Sequence, residues 1–267
     1  MSWVITGTFK NKLLLDEYPG SAAAYSLRNL SILSTAPVVR VRRSSDNTES
    51  DFTATQVSDG TLTTFCGAGD GFVRTWYDQS GNARHAQQAT TGSQPRVVAA
   101  GILETKGINS RPSIRFLSAS LTNLKTSAFG GWDVDSMFIA ASSISTAFMF
   151  DGNSINNISI FMPNGLGDLR LFAGTTFVEN NIITPGALSL INTIVDSAGT
   201  DTLAVNADTR TANYGSNKRN GLTLGGAGNL TSSFLNDSIS EVIIYPFDQS
   251  ANRPPINNNI NAHYAIY

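Results

Sequence analysis

What most limits the fold of this chain is a succession of short apolar or β-branched runs with Gly, Asn, Asp or Pro between most of them. They fall at Val38–Arg43, Ser113–Phe116, Met137–Ala141, Ala147–Phe150, Ile158–Met162 and Leu169–Ala173, then at Leu188–Val195, Thr202–Val205, Leu222–Leu224 and Ile239–Tyr245. Runs of this length and chemistry are strands, and turn residues at such spacing suit a two-sheet antiparallel sandwich. The clearest of them lies within Gly69–His85, where Phe72, Arg74 and Trp76 alternate with Val73, Thr75 and Tyr77. Asp78-Gln79-Ser80-Gly81-Asn82 then breaks the run with residues that accept positive φ or bond their own backbone. This stretch predicts a buried strand delivering a rigid polar loop to one end of a sheet.

Helical spacing is rarer. Ala23, Leu27 and Leu30, after Pro19-Gly20 and a capping serine, predict one short amphipathic helix over Ser21–Ser31. Asn252-Arg253-Pro254-Pro255 stops the last strand, and Ile256, Ile260 and Tyr264 share a face of a closing helix. No fixed-period repeat is present, and the linker-like Thr90–Pro95 is too short to mark a boundary. The expected organisation is an attachment arm over residues 1–20 and one domain over 21–267. Trp3, Ile5, Leu13, Leu14 and Leu15 give the arm an apolar character suited either to docking on a partner chain or to packing on its own domain.

With 267 residues the chain can bury roughly 70–75% of the surface its unfolded form exposes. A net charge of −2 and a charged fraction of 14% argue against electrostatic capture of nucleic acid or of an anionic membrane. No run reaches the about 18 apolar residues of a membrane span. The single cysteine, Cys66, precludes an intrachain disulfide and reads as a small buried apolar residue. Met1–Gly7 shows no basic region followed by an apolar core, so the expectation is synthesis in a host cytoplasm without general export.

Few constellations carry chemistry. His85 and His263 lack metal-ligand partners at familiar spacing. Asp46, Asn47, Glu49 and Asp51 offer oxygens at short spacing, as a Ca²⁺ loop does, but without an EF-hand glycine pattern; turn formation is the alternative. Arg40, Arg42 and Arg43 read as an outward strand face salt-bridged to that acidic loop. Asp78, Gln79, Asn82 and His85, beside Trp76 and Tyr77, form a candidate glycan site together with Asp151. In the competing reading Asp78 and Asn82 fix the loop and the aromatics are core.

Four stretches, Ala24–Arg28, Val39–Thr48, Gly69–His85 and Gly107–Phe116, occur in an order that resembles the catalytic domain of α-L-arabinofuranosidase B and its relatives, tailed-phage proteins among them. Thr75–Asn82 is the most specific part. The C-terminal half, with Ser240–Tyr245 as last strand, resembles the wider concanavalin A/laminin-G-like group. The resemblance implies an all-β jelly-roll sandwich and sugar binding or cleavage, and no cofactor. A retaining glycosidase needs two carboxyl groups about 5–5.5 Å apart. Where the family places its glutamate nucleophile this chain reads Phe150–Asn157, and where it places its acid/base aspartate it reads Leu224–Asn229, neither with the expected acid; Phe148-Met149 replaces a cysteine pair. These losses predict a non-enzymatic structural protein on a tailed-phage virion surface, docked to other virion proteins through its arm. A module binding host-surface glycan, and an arabinofuranosidase with acids relocated to Asp151, Asp237 or Glu241, are the alternatives. Nothing in the sequence counts subunits, so a homo-oligomer stays open.

Overall fold

The computed structural model describes residues 12–32, 35–155, 157–162 and 164–267. It is an all-β antiparallel sandwich of jelly-roll type. One sheet is centred on Ser238–Tyr245, which pairs on one side with Ala23–Ser26 and Ile114–Arg115, and on the other with Val134–Ala141; Ser189–Asp196, Asp201–Val205 and Asp208–Ala212 follow outward. The other sheet runs from Glu49–Phe52 through Val39–Arg43, Gly71–Trp76, Ala86–Gln87, Leu124–Lys125, Thr223–Leu224, Ala147–Asp151, Ser159–Met162 and Leu169–Phe172 to Thr176–Glu179. Gly71–Trp76 also pairs with Arg96–Ala99, which reaches Ile114–Arg115 and so joins the two sheets.

Between the sheets lies the larger core, holding Tyr25, Trp76, Phe116, Phe150, Ile160, Leu171, Ile191, Val242 and Ile244. A second cluster covers the outer face of the first sheet, where Phe138, Leu190, Ile243 and Tyr245 meet Leu14, Leu15, Ile256, Ile260 and Tyr264. The closing helix spans Arg253–Tyr264, with its prolines in the first turn, where no backbone donor is lost. Each of its fully buried anchors contributes roughly 1.5–3 kcal/mol of transfer free energy. Strand Ser238–Tyr245 is therefore buried on both faces, which is why its second half, Val242–Tyr245, reads as a continuous apolar run without alternation.

Of three expectations about local structure, two are corrected. Ala23–Ser26 is a strand, not part of a helix over Ser21–Ser31: all four residues are buried in antiparallel register with Glu241–Ile244, and neighbours on both faces override the helical spacing. A helix does occur near the N-terminus, but at Leu14–Glu17. Leu14 and Leu15 pack into the second cluster of this same chain and are spent there instead of on a partner; Leu13 is half-buried, and Trp3 and Ile5 lie outside the described residues. The third agrees with the structure: the short Thr90–Pro95 stretch packs on its neighbours, with Gln94 buried and accepting a hydrogen bond from Arg42 Nε at 2.8 Å.

The acidic loop is likewise divided among neighbours. Asp46 pairs with Arg43 at 2.6 Å and caps the turn through Thr48 N–H; Asp51 takes a fork from Arg40 at 2.8 and 2.9 Å; Asn47 accepts from Arg42. Glu49 and Asp51 belong to the edge strand Glu49–Phe52. These four oxygen-bearing residues do not converge on one point, and among the described residues no group of three or more His, Cys, Asp or Glu could hold a metal ion. No described helix is long and apolar enough to cross a membrane.

Candidate functional site

The loop that stands out in the sequence turns its polar groups inward. Asp78 Oδ1 accepts from Ala24 N–H and Ser80 N–H, both at 2.9 Å, and Oδ2 from Ser80 Oγ at 2.8 Å and Arg84 N–H at 3.0 Å. Gln79 Nε2 donates to the carbonyls of Ser26 and Arg28, each at 3.0 Å, while its Oε1 accepts from Leu30 N–H. Asn82 Nδ2 donates to the carbonyls of Ser21 and Ala22, and His85 Nδ1 accepts from Asp78 N–H at 3.1 Å. Trp76 has no exposed surface and packs against Tyr25 with ring centroids 5.8 Å apart. Trp76 thus leaves the candidate glycan surface because it is core, and Asp78, Gln79 and Asn82 because their hydrogen bonds go to holding the loop and residues 21–30. Tyr77, which donates to Asp51 Oδ1 at 2.8 Å, and His85, set edge-on to it, remain half-buried.

A different set of loops converges around Asp151. Lys125 is registered opposite Gln87 and Thr223, and Thr223 opposite Asp151. The segments that follow Lys125 and Asp151, and that precede Thr223 and Ala86, therefore emerge at one end of the sandwich. Asp151 is fully buried there. Its Oδ1 accepts from Gly152 N–H at 2.8 Å and Asn157 N–H at 3.1 Å, and its Oδ2 from Gly228 N–H at 3.0 Å. Lys125 Nζ reaches the same loops, donating to the Gly228 carbonyl at 2.7 Å and the Asn153 carbonyl at 3.0 Å. A Cβ on Gly228 would stand 2.5 Å from the Gly152 carbonyl oxygen, so only glycine lets the loops approach this closely.

Asparagines tie the remaining turns. Asn220 Oδ1 accepts from Asn153 N–H at 2.8 Å, Asn153 Nδ2 donates to the Thr126 carbonyl, and Asn157 Nδ2 donates to the Lys218 carbonyl at 2.9 Å. The buried Oδ1 atoms of Asn153 and Asn157 have no hydrogen-bond partner among the described residues. Arg219, buried beside them, holds Asp135 by two bonds of 2.6 Å, and Asp135 also accepts from Trp132 Nε1. On the neighbouring strands Arg170 stacks over Phe161 at 4.6 Å and Phe148 at 5.8 Å, with its Nε buried and without a hydrogen-bond partner among the described residues. Burial pushes the Arg170 pKa down, and the charge of Asp151 opposes that shift. The result is a fixed polar end of the sandwich, its loops tied from within by Asp151, Lys125 and the asparagines, beside the Arg219–Asp135 pair and the half-buried Phe161–Arg170 stack. Loop amides next to an aromatic–guanidinium stack are suited to hydroxyl recognition and to stacking against an apolar ring face.

Asp237 and Glu241, the other positions considered for displaced acids, are each engaged elsewhere. Asp237 is fully buried and paired with Lys106 at 2.7 Å and Arg115 at 2.9 Å. Glu241 accepts from Arg28 Nε and Nη2, each at 2.8 Å, from Ser26 Oγ at 2.8 Å and from Tyr264 Oη at 3.3 Å. Burial acts to raise the Glu241 pKa, but Arg28 and Ser26 overcome it and hold the carboxyl below its ordinary value. The sequence signal that reached the Asp151 end was Phe150–Asn157; Lys125, Phe161 and Arg170 carry no local motif and were missed.

No protein-family model matches the chain, and no curated protein matches it. Solved structures do. A GH54 α-L-arabinofuranosidase soaked with a cyclic sulfate inhibitor superposes with a TM-score of 0.65 at 16% identity, over 91% of this chain and 63% of that one. A point mutant of a GH54 α-L-arabinofuranosidase soaked with 4-nitrophenyl α-L-arabinofuranoside gives the same values. An arabinofuranosidase complexed with arabinofuranosyl-α-1,2-xylobiose gives 0.62 at 15% identity and the same coverages. The chain thus spans less than two thirds of the length of these proteins, and at such identity the likeness shows the fold alone. It also overturns the expectation that the chain is not an enzyme. The scaffold is shared with arabinofuranosidases, and acids missing from two short stretches do not decide against hydrolysis when catalytic groups can come from any of several loops.

Proposed function

We propose that the chain recognises carbohydrate at the end of the sandwich built by Lys125, Asp151–Asn157, Asn217–Thr223 and Gly228, with Phe161 and Arg170 as a stacking platform. A pentofuranoside-bearing glycan is the ligand class. The observation that carries the reading is the half-buried Phe161–Arg170 stack set beside loops that the buried Asp151 carboxylate and Lys125 fix from within. The scaffold, shared with arabinofuranosidases, supports it. Titration with methyl α-L-arabinofuranoside and with a glycan array tests it: saturable binding is expected, lost in Phe161→Ala with the thermal transition retained, and weakened in Asp151→Asn together with a lower Tm. A folded wild-type chain that binds no glycan overturns it.

Hydrolysis of an arabinofuranoside is the second reading, favoured by the same structural match. Release of 4-nitrophenol from the aryl arabinofuranoside, abolished in Asp151→Asn, is the expected result under that reading. As a further part of the proposal, the module is carried on the surface of a tailed-phage particle, a placement that rests on the sequence resemblance. Co-purification with virions at fixed stoichiometry, lost on deleting residues 1–11 while the core residues Leu14 and Leu15 are kept, tests it.

A further inference from the structure

A cleft of about 260 Å³ opens between the segment that follows strand Ala23–Ser26 and the helix Ala54–Ser58, and it shares no residue with the Asp151 loops. Arg28, Asn29, Thr55, Arg111, His263 and Tyr264 are among its lining residues. Arg28 commits Nε and Nη2 to Glu241 and Asn259, leaving Nη1 without a partner among the described residues. Arg111 commits only Nε, to the His263 carbonyl at 3.0 Å, and no described carboxylate pairs with it. Because Glu241 cancels the charge of Arg28, Arg111 leaves the cleft with a net positive charge. Burial pushes the His263 imidazole down to about 4, with the charges of Arg28 and Arg111 acting in the same direction and Glu241 opposing. At neutral pH that ring is an uncharged donor and acceptor.

The wall is rigid. Gln79 fixes residues 26–30 by bonding the carbonyls of Ser26 and Arg28 and the N–H of Leu30. On the opposite side Thr53 and Gln56 cap the helix reciprocally. The buried ring of Tyr264 supplies an apolar surface. The volume falls below the about 300–1,000 Å³ of pockets for drug-sized ligands, which limits the occupant to one sugar ring.

We propose that this cleft binds a small carboxylated polyol the size of a single uronate, its carboxylate on Arg111 and Arg28 Nη1 and its hydroxyls on Asn29, Thr55 and His263. Calorimetric titration of the full chain with galacturonate, galactose and acetate tests this. Galacturonate is expected to bind with 1:1 stoichiometry, at least about tenfold tighter than galactose or acetate, since it alone offers both a carboxylate for charge-assisted hydrogen bonds and the ring hydroxyls. Arg111→Ala should weaken it about tenfold and Asn29→Ala to a smaller degree, while Arg210→Ala, which removes a cation from the edge strand Asp208–Ala212, leaves it unchanged. Equal affinity for galactose or acetate, an Arg111→Ala chain that binds as before, or no saturable galacturonate binding by a chain with its native thermal transition each overturns the proposal. The methyl arabinofuranoside titration is read separately, so failure here does not touch the Asp151 site.

Discussion

Glu241→Gln removes a charge and little else, and the structure sets its cost. The carboxylate is 1% exposed and receives two bonds from Arg28, one from Ser26 and one from Tyr264. Glutamine keeps the shape but leaves the Arg28 guanidinium beside a neutral group. Breaking a buried pair from one side costs about 3–5 kcal/mol. Arg28 keeps 18% of its side chain exposed, so water compensates in part and the lower end, about 3 kcal/mol, is expected. At about 2–3 °C per kcal/mol for a chain of this size, Tm falls by about 6–9 °C. Urea unfolding and calorimetry at pH 7 measure both quantities. The folded-state pKa of Glu241 lies below 4.5, so its contribution is present above 4.5 and lost as pH falls through the folded value. Wild type and variant must therefore converge in acid. A loss under about 1 kcal/mol at pH 7, or a gap that stays constant with pH, refutes the argument.

Four further outcomes follow from the same structure. His263 takes up its proton at about 4 in the folded chain and at 6.5 unfolded, so stability falls as pH drops from 6.5 toward 4, and His263→Gln should flatten that limb in a pH series of melts. Gly228→Ala places a Cβ 2.5 Å from the Gly152 carbonyl oxygen, and should abolish arabinofuranoside binding in titration while lowering Tm. Gln79→Ala strands a backbone N–H and two carbonyls, costing about 2–3 kcal/mol in urea unfolding and weakening galacturonate binding. Cys66 is buried with its thiol pKa pushed up to about 11, so a thiol reagent should label it only at the rate of unfolding, as read by mass spectrometry.

Local chemistry made most strands legible. Gly71–Trp76 and Val39–Arg43 alternate, and the unbroken apolar run Val242–Tyr245 announces burial on both faces. The closing helix was visible in the spacing of Ile256, Ile260 and Tyr264. Ala23–Ser26 misled because a strand buried on both sides loses its period of two, and its small alanines match a helical face equally well. The edge strand Glu49–Phe52 reads as a loop because its partners are arginines on one neighbour and water on its free side. Thr53–Gln56 carried a capping-box signal that was there to be used. Of the Asp151 site, the sequence exposed the carboxylate and the glycines, but Lys125 and Arg170 arrive from strands far along the chain. Only the pairing register brings them together.

The strand Ser238–Tyr245 sends Val242 and Ile244 into one core and Glu241, Ile243 and Tyr245 into the other. Inserting or deleting a single residue there exchanges those two sets, thrusting an ionised glutamate between the sheets and stranding Arg28 outside them. This segment can consequently drift only by replacement of one residue type with another. Changes in length are confined to the turns at the sandwich ends, which is where new ligand preferences would have to be made.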